Sequence, residues 1–206
     1  PRILLTLDFG DAPDFSTGVA KNDYQTLASN NGPRHVIDGS ANKLFLGAGV
    51  DGEPGNQQSL TAMLDDQFTG SGRDDEDGVL NSLDLINTLG AAPFVTLQAT
   101  NLTGRSAKLS GWIDFDQNGV FDNAAERAQI TVPDGTTNGL FTLTFPLAPG
   151  PVVGKTYARF RLSTDAAASN PTGVASDGEV EDYPFEIRNR VARPFELSRN
   201  AKITSG

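Results

Sequence analysis

The densest chemistry in the sequence lies in one nine-residue string, Asp114-Phe115-Asp116-Gln117-Asn118-Gly119-Val120-Phe121-Asp122, with Glu126 four residues further on. Written by type it reads D-x-D-x-N-G-x-x-D. A calcium ion takes about six to eight oxygen ligands at short range, and acids at alternate positions of a tight loop turn their oxygens inward. Asp114, Asp116, Asn118, Asp122 and Glu126 supply side-chain oxygens. Gly119 permits the sharp turn that brings in the Val120 carbonyl. An EF-hand would place its bidentate glutamate where Ala125 stands, so Glu126 comes one position late. Trp112-Ile113 just upstream reads as a strand. The string is therefore expected to be a calcium loop with an EF-like start and no EF helices; the plain alternative is a solvated acidic turn.

Other acids are clumped in the same manner. Asp8, Asp11 and Asp14 are spaced by three and broken by Gly10 and Pro13. That is not a strand period, so they are expected to wrap a turn around a hard cation, with surface Asx-turns as the alternative. Asp74-Asp75-Glu76-Asp77 is an acidic run next to Gly78-Val79. Asp75 and Asp77 are candidate ligands there, against the ordinary fate of such runs as solvated charge. In Asp177-Gly178-Glu179-Val180-Glu181-Asp182, Glu179 and Glu181 share one face of a strand and Asp177 can join them. Asp51 and Glu53 form a weaker pair. The expected cofactor is several Ca2+ ions, and five divalent ions would offset the net charge of −10.

That charge disfavours nucleic acid, which needs basic residues to displace its counterions. No cysteine is present, which removes disulfides, thiolate metal sites and cysteine nucleophiles. No apolar run is long enough to insert in a membrane. The single histidine, His35, has no nucleophile elbow near it and reads as a loop histidine. Acid pairs for glycoside hydrolysis would need an apolar pocket to raise one pKa, whereas these acids lie in Gly- and Asp-rich loops. No phosphate-cradling glycine loop occurs. No catalysis is expected.

The elements that must position these groups are short strands. Ile3–Phe9, Lys43–Leu46, Phe94–Ala99, Lys108–Phe115, Ala128–Val132, Leu140–Leu147, Thr156–Leu162 and Tyr183–Ile187 carry the strand signal, and Leu60–Phe68 reads as a turn or two of helix. The run Thr156–Leu162 alternates clearly, with Ala158, Phe160 and Leu162 on one face and Tyr157, Arg159 and Arg161 on the other. At least one of these arginines is expected to pair with a carboxylate of Asp177–Asp182; two solvated arginines are the alternative. Gly and Pro, 22 and 12 of 206 residues, supply the turns. With no βαβ spacing, the expectation is an all-β, antiparallel β-sandwich with long calcium-binding loops. Residues 1–190 read as one module, and 191–206 as a tail, linker or last strand. The chain opens at Pro1 without an export signal, so it is expected to be a monomeric segment of a longer polypeptide.

Four strings resemble a known family. They are Asp8-Phe9-Gly10-Asp11-Ala12-Pro13-Asp14, Trp112 through Gly119, Thr156 through Ser163, and Gly178-Glu179-Val180-Glu181-Asp182-Tyr183. Together they resemble the GEVED-type module of long bacterial extracellular and adhesin-like proteins, over roughly residues 8 to 187; Asp75 through Val79 and Gly32 through His35 fit its intervening motifs. The resemblance implies a calcium-associated β-sandwich, secreted or displayed on the bacterial surface, without catalysis. The long loops of residues 16–72 favour a calcium-dependent adhesion module that binds an extracellular peptide or protein. Arg34, Lys43 or Arg73 would share the charge of a peptide carboxylate. A glycan on a host or neighbouring cell, met by Tyr24, is one alternative, and a calcium-rigidified extender without ligand is another.

Overall fold

The computed structural model describes residues 6–52, 55, 58–62, 76–147 and 150–190. Arg73, Asp75, Glu53, residues 63–68 of the expected helical turn and the tail 191–206 lie outside the described residues. Among the described residues there are eleven strands and three single-turn 3-10 helices, and no α-helix. The all-β class follows directly from the sequence: short β-branched and aromatic runs are cut by glycine and proline before any helical period is established.

Two sheets form the sandwich. In one, β4 (Ile86–Thr88), β11 (Glu179–Arg188), β9 (Gly154–Ser163), β6 (Ala107–Ile113) and β7 (Arg127–Val132) lie in that order. In the other, β3 (Leu44–Leu46), β5 (Phe94–Asn101) and β8 (Thr136–Thr144) lie in that order. The Pro133-Asp134-Gly135 turn carries the chain from one sheet to the other. Leu44, Leu46, Val95, Leu97 and Leu143 meet Leu109, Ile113, Phe160, Leu162 and Phe185 in the main core. Each such buried side chain contributes about 1.5–3 kcal/mol relative to exposure.

A third, small sheet covers the opposite face of β9 and β11. It consists of β1 (Leu7–Phe9), β2 (Arg34–Val36) and β10 (Val174–Ala175), ordered β1-β2-β10. The face of β9 that carries Arg159 and Arg161 is therefore interior, and both arginines are fully buried. The expected ion pair is present: Arg159 Nε lies 2.7 Å from Asp182 Oδ1, and Nη2 lies 2.8 Å from Oδ2. Arg161 directs its donors to His35 Nε2 and to the carbonyls of Asn170, Thr172 and Gly173.

Three expectations need correction. His35 is not a loop histidine but sits fully buried in β2. Its Nδ1 lies 2.7 Å from the Asp177 carbonyl and its Nε2 accepts from Arg161, so the ring is neutral. Burial, with the Arg161 charge next, holds its pKa well below the usual imidazole value. The sheets are not wholly antiparallel, because β10–β2 and β11–β4 pair in parallel. Both pairings join segments far apart in sequence, where spacing within the chain carries no information about direction. The residues of β2 fall in the stretch read as long loop, and β4 is not among the expected strands, since three-residue strands with polar members show no alternation.

Candidate metal centre

Strand β6 ends at Ile113, and β7 begins at Arg127. The intervening loop is wound tightly by its own polar groups. Asp114 Oδ1 accepts from Asn118 N at 3.1 Å, and its Oδ2 accepts from Gly119 N at 3.0 Å. Asn118 Oδ1 accepts from Val120 N at 2.7 Å. Gln117 and Gly119 both adopt positive φ, 58° and 83°, to make the turn. Glu126 closes the loop from its far end: Oε1 accepts from Phe115 N at 2.7 Å and Oε2 from Asp122 N at 2.9 Å. Asp122 Oδ1 caps the last turn by accepting from Ala124 N and Ala125 N.

This winding brings Asp114, Asp116 and Glu126 together. One carboxylate oxygen from each lies within 4.8 Å of the others, the only such acidic group among the described residues. Asp114 is fully buried, Glu126 nearly so, and Asp116 is exposed. Desolvation, reinforced by the charges of Asp114 and Asp116, pushes the Glu126 carboxyl up to about 8. Desolvation also raises Asp114. Near neutral pH this trio needs either a proton or a cation among its oxygens, and hard oxygen donors so arranged suit calcium. Asp116 Oδ2 is bonded to Asn118 Nδ2. Asn118, Val120 and Asp122 lie along the same loop on its exposed side.

Residues distant in sequence support the loop. Tyr24 is fully buried and donates its hydroxyl to Asp114 Oδ2 at 2.7 Å, while its ring stacks on Phe121 at 4.8 Å between centroids. Thr156 Oγ1 donates to the Asp114 carbonyl at 2.6 Å, and Trp112 Nε1 donates to Asn123 Oδ1 at 2.9 Å. The alternative of a glycan met by Tyr24 does not fit its place: the side chain is buried beneath the loop, out of an outside ligand's reach. Its one sequence signal was an isolated aromatic in a polar stretch. Thr156 and Phe121 gave none.

The remaining acids are distributed over separate backbone partners. Asp8 Oδ2 accepts from Val180 N at 2.7 Å, and Asp14 Oδ2 accepts from Thr26 N and Leu27 N, each at 2.8 Å. Asp11 is buried beside them, its amide donating to Asp182. Asp77 Oδ1 accepts from Ala48 N, Glu179 Oε2 from Leu46 N and Glu181 Oε1 from Gly78 N. Asp177 accepts from Ser163 Oγ and Thr164 N. These acids stitch the loops and the third sheet onto the sandwich by charge-assisted bonds.

Of the other ligand candidates, Arg34 donates to the Ala28 carbonyl, and Lys43 is exposed beside a small cleft shared with Arg105 and Asp177. A larger cleft of about 500 Å³ lies against β9 and β11, walled by Leu60, Leu85, Ile86, Tyr157 and Phe185, with Lys155 and Glu186 adding charge. Among the described residues no helix is long and apolar enough to cross a membrane. No curated protein and no solved structure matches the chain. One family model does, across the strands β6 to β11 and the loop just described. Residues 108–186 match the model of the GEVED domain.

Proposed function

We propose that this chain is a calcium-loaded extracellular module of a bacterial surface adhesin that binds a peptide or protein partner. What carries the reading is the convergence of Asp114, Asp116 and Glu126, two of them buried, in a loop wound to present oxygens. A buried carboxylate group of this kind is costly without a cation, and bound calcium stabilises whatever state holds it. The GEVED match at residues 108–186 is consistent with an extracellular setting. The apolar cleft between Leu60, Ile86 and Phe185, with Lys155 and Glu186 in its lining, suits a peptide side chain and its flanking charges. Thr156 both lines that cleft and holds the Asp114 carbonyl, so the ion would brace the cleft wall.

A glycan is the second reading, and one observation favours it. Phe15 is 63% exposed, beside Ser16, Ser29, Asn30 and Gln58 in an open pocket. A sugar ring stacks on such a face. Against it, Trp112, Tyr24, Tyr157 and Tyr183 are all buried. Peptide-library and glycan-array binding, each run with calcium and with EDTA, separates the readings. Calcium-dependent peptide hits are expected; glycan hits lost in EDTA would replace the peptide, and silence on both arrays would leave a structural extender.

A further inference from the structure

The loop 114–126 has a second side, turned toward the N-terminal segment. Gly119 is pressed against the tight turn 20–23, where Ala20 and Asp23 exchange backbone bonds of 3.0 and 2.9 Å. A Cβ on Gly119 would run into the carbonyl oxygens of Ala20 and Asp23. Tyr24 follows at once, bonded to Asp114 and stacked on Phe121. Phe121 in turn lies under the Arg159 guanidinium, 5.0 Å from ring centroid to Cζ. Arg159 then reaches back to the same segment, donating to the Gln25 carbonyl at 3.0 Å and to Thr26 Oγ1 at 2.8 Å. Asp182, its partner, accepts from Asp11 N and Ala12 N. Residues 20–26 therefore touch the cation loop and the arginine beneath it, and Asp11 and Ala12 touch its partner Asp182, although the matched family span begins at 108.

We propose that the N-terminal layer closes the cation site, with Tyr24 positioning Asp114, so that ion binding and docking of residues 11–26 form one coupled equilibrium. This rests on the calcium reading of the loop. Without an ion nothing ties the oxygens of Asp116 and Asp114 to Glu126, and the loop is freer to open. Opening moves Gly119 and Phe121, which are the floor on which residues 20–24 lie. With the ion present, Asp114 is fixed, its Oδ2 meets the Tyr24 hydroxyl, and the layer is held against β9. Coupling of this kind is reciprocal: docking of the layer must raise the affinity for calcium by the factor by which calcium favours docking.

Two measurements on the whole chain test it. Hydrogen exchange at the amides of Asp11, Ala12, Thr26 and Leu27 is compared in saturating calcium and in EDTA, and calcium is titrated calorimetrically into the parent and into Tyr24→Phe. Phenylalanine keeps the ring on Phe121 and removes only the hydroxyl. Calcium should slow exchange at these four amides by about tenfold or more, and Tyr24→Phe should weaken calcium binding by about tenfold. If calcium binds but the four amides exchange equally with and without it, the coupling is overturned and the cation site stands. Equal affinity in parent and Tyr24→Phe overturns the role of Tyr24. If the parent takes up no calcium, the site and the coupling both fall.

Discussion

Arg159 and Asp182 face each other across neighbouring strands in a bidentate pair, both with no solvent exposure. Such a pair is weak evidence for net stability, because desolvation offsets most of the attraction. Losing one partner is another matter. Asp182→Ala would strand the guanidinium and also free the amides of Asp11 and Ala12. It is expected to cost about 3–5 kcal/mol in urea unfolding; a loss under about 1 kcal/mol would show that the arginine finds another partner. Glu126 gives a prediction of opposite character. Its carboxyl is pushed up from 4.5 to about 8 in the folded chain without metal. A raised folded pKa means that the folded state holds the proton more tightly. The stability this confers is full below about 4.5 and is lost as pH rises through about 8. Calcium replaces the proton, so its stabilising effect, measured as melting temperature in calcium minus that in EDTA, should be larger at pH 8 than at pH 5.5. His35, whose pKa is depressed, acts in the opposite sense, with stability lost as pH falls below about 6.5, but it contributes to both arms of the difference. An increment independent of pH would remove Glu126 from the site.

Among the elements, the loop between β6 and β7 is where backbone conformation and packing coincide. Gly119 has φ of 83° and no room for a Cβ. Gly119→Ala should destabilise the chain by about 2 kcal/mol and loosen the turn 20–23, read as faster proteolysis within residues 16–24. Unchanged stability and unchanged cleavage would mean that the loop and the turn pack independently. The same loop shows what the sequence discloses. Its acids were legible because their spacing is local, whereas Tyr24 reaches Asp114 from 90 residues away. Strand β9 was legible too, in that alternation put Ala158, Phe160 and Leu162 on one face. Alternation says which side chains share a face, however, and not what lies over it. A partner for the arginine face in Asp177–Asp182 could be expected from the sequence, but nothing local reveals that β1, β2 and β10 cover that face. Likewise Asp8, Asp14, Glu179 and Glu181 stand in the sequence as candidate cation ligands, while each accepts from a backbone amide supplied by another part of the chain.

At the scale of the whole molecule, a chain with a net charge of −10 and no cysteine is held together by a sandwich core and by acids turned inward. Disulfides play no part, and in the proposed account bound calcium is what takes their place. An ion that binds only the folded state at about 100 times its dissociation constant adds about 2.7 kcal/mol. For a domain of this size that corresponds to roughly 5–10 °C in melting temperature per ion. The deciding measurement is a thermal melt of the full chain at neutral pH in millimolar calcium and in EDTA, with magnesium as the control. The melting temperature should rise by at least about 5 °C in calcium and by less in magnesium, which demands tighter octahedral geometry. Superimposable curves in calcium and EDTA would contradict the account.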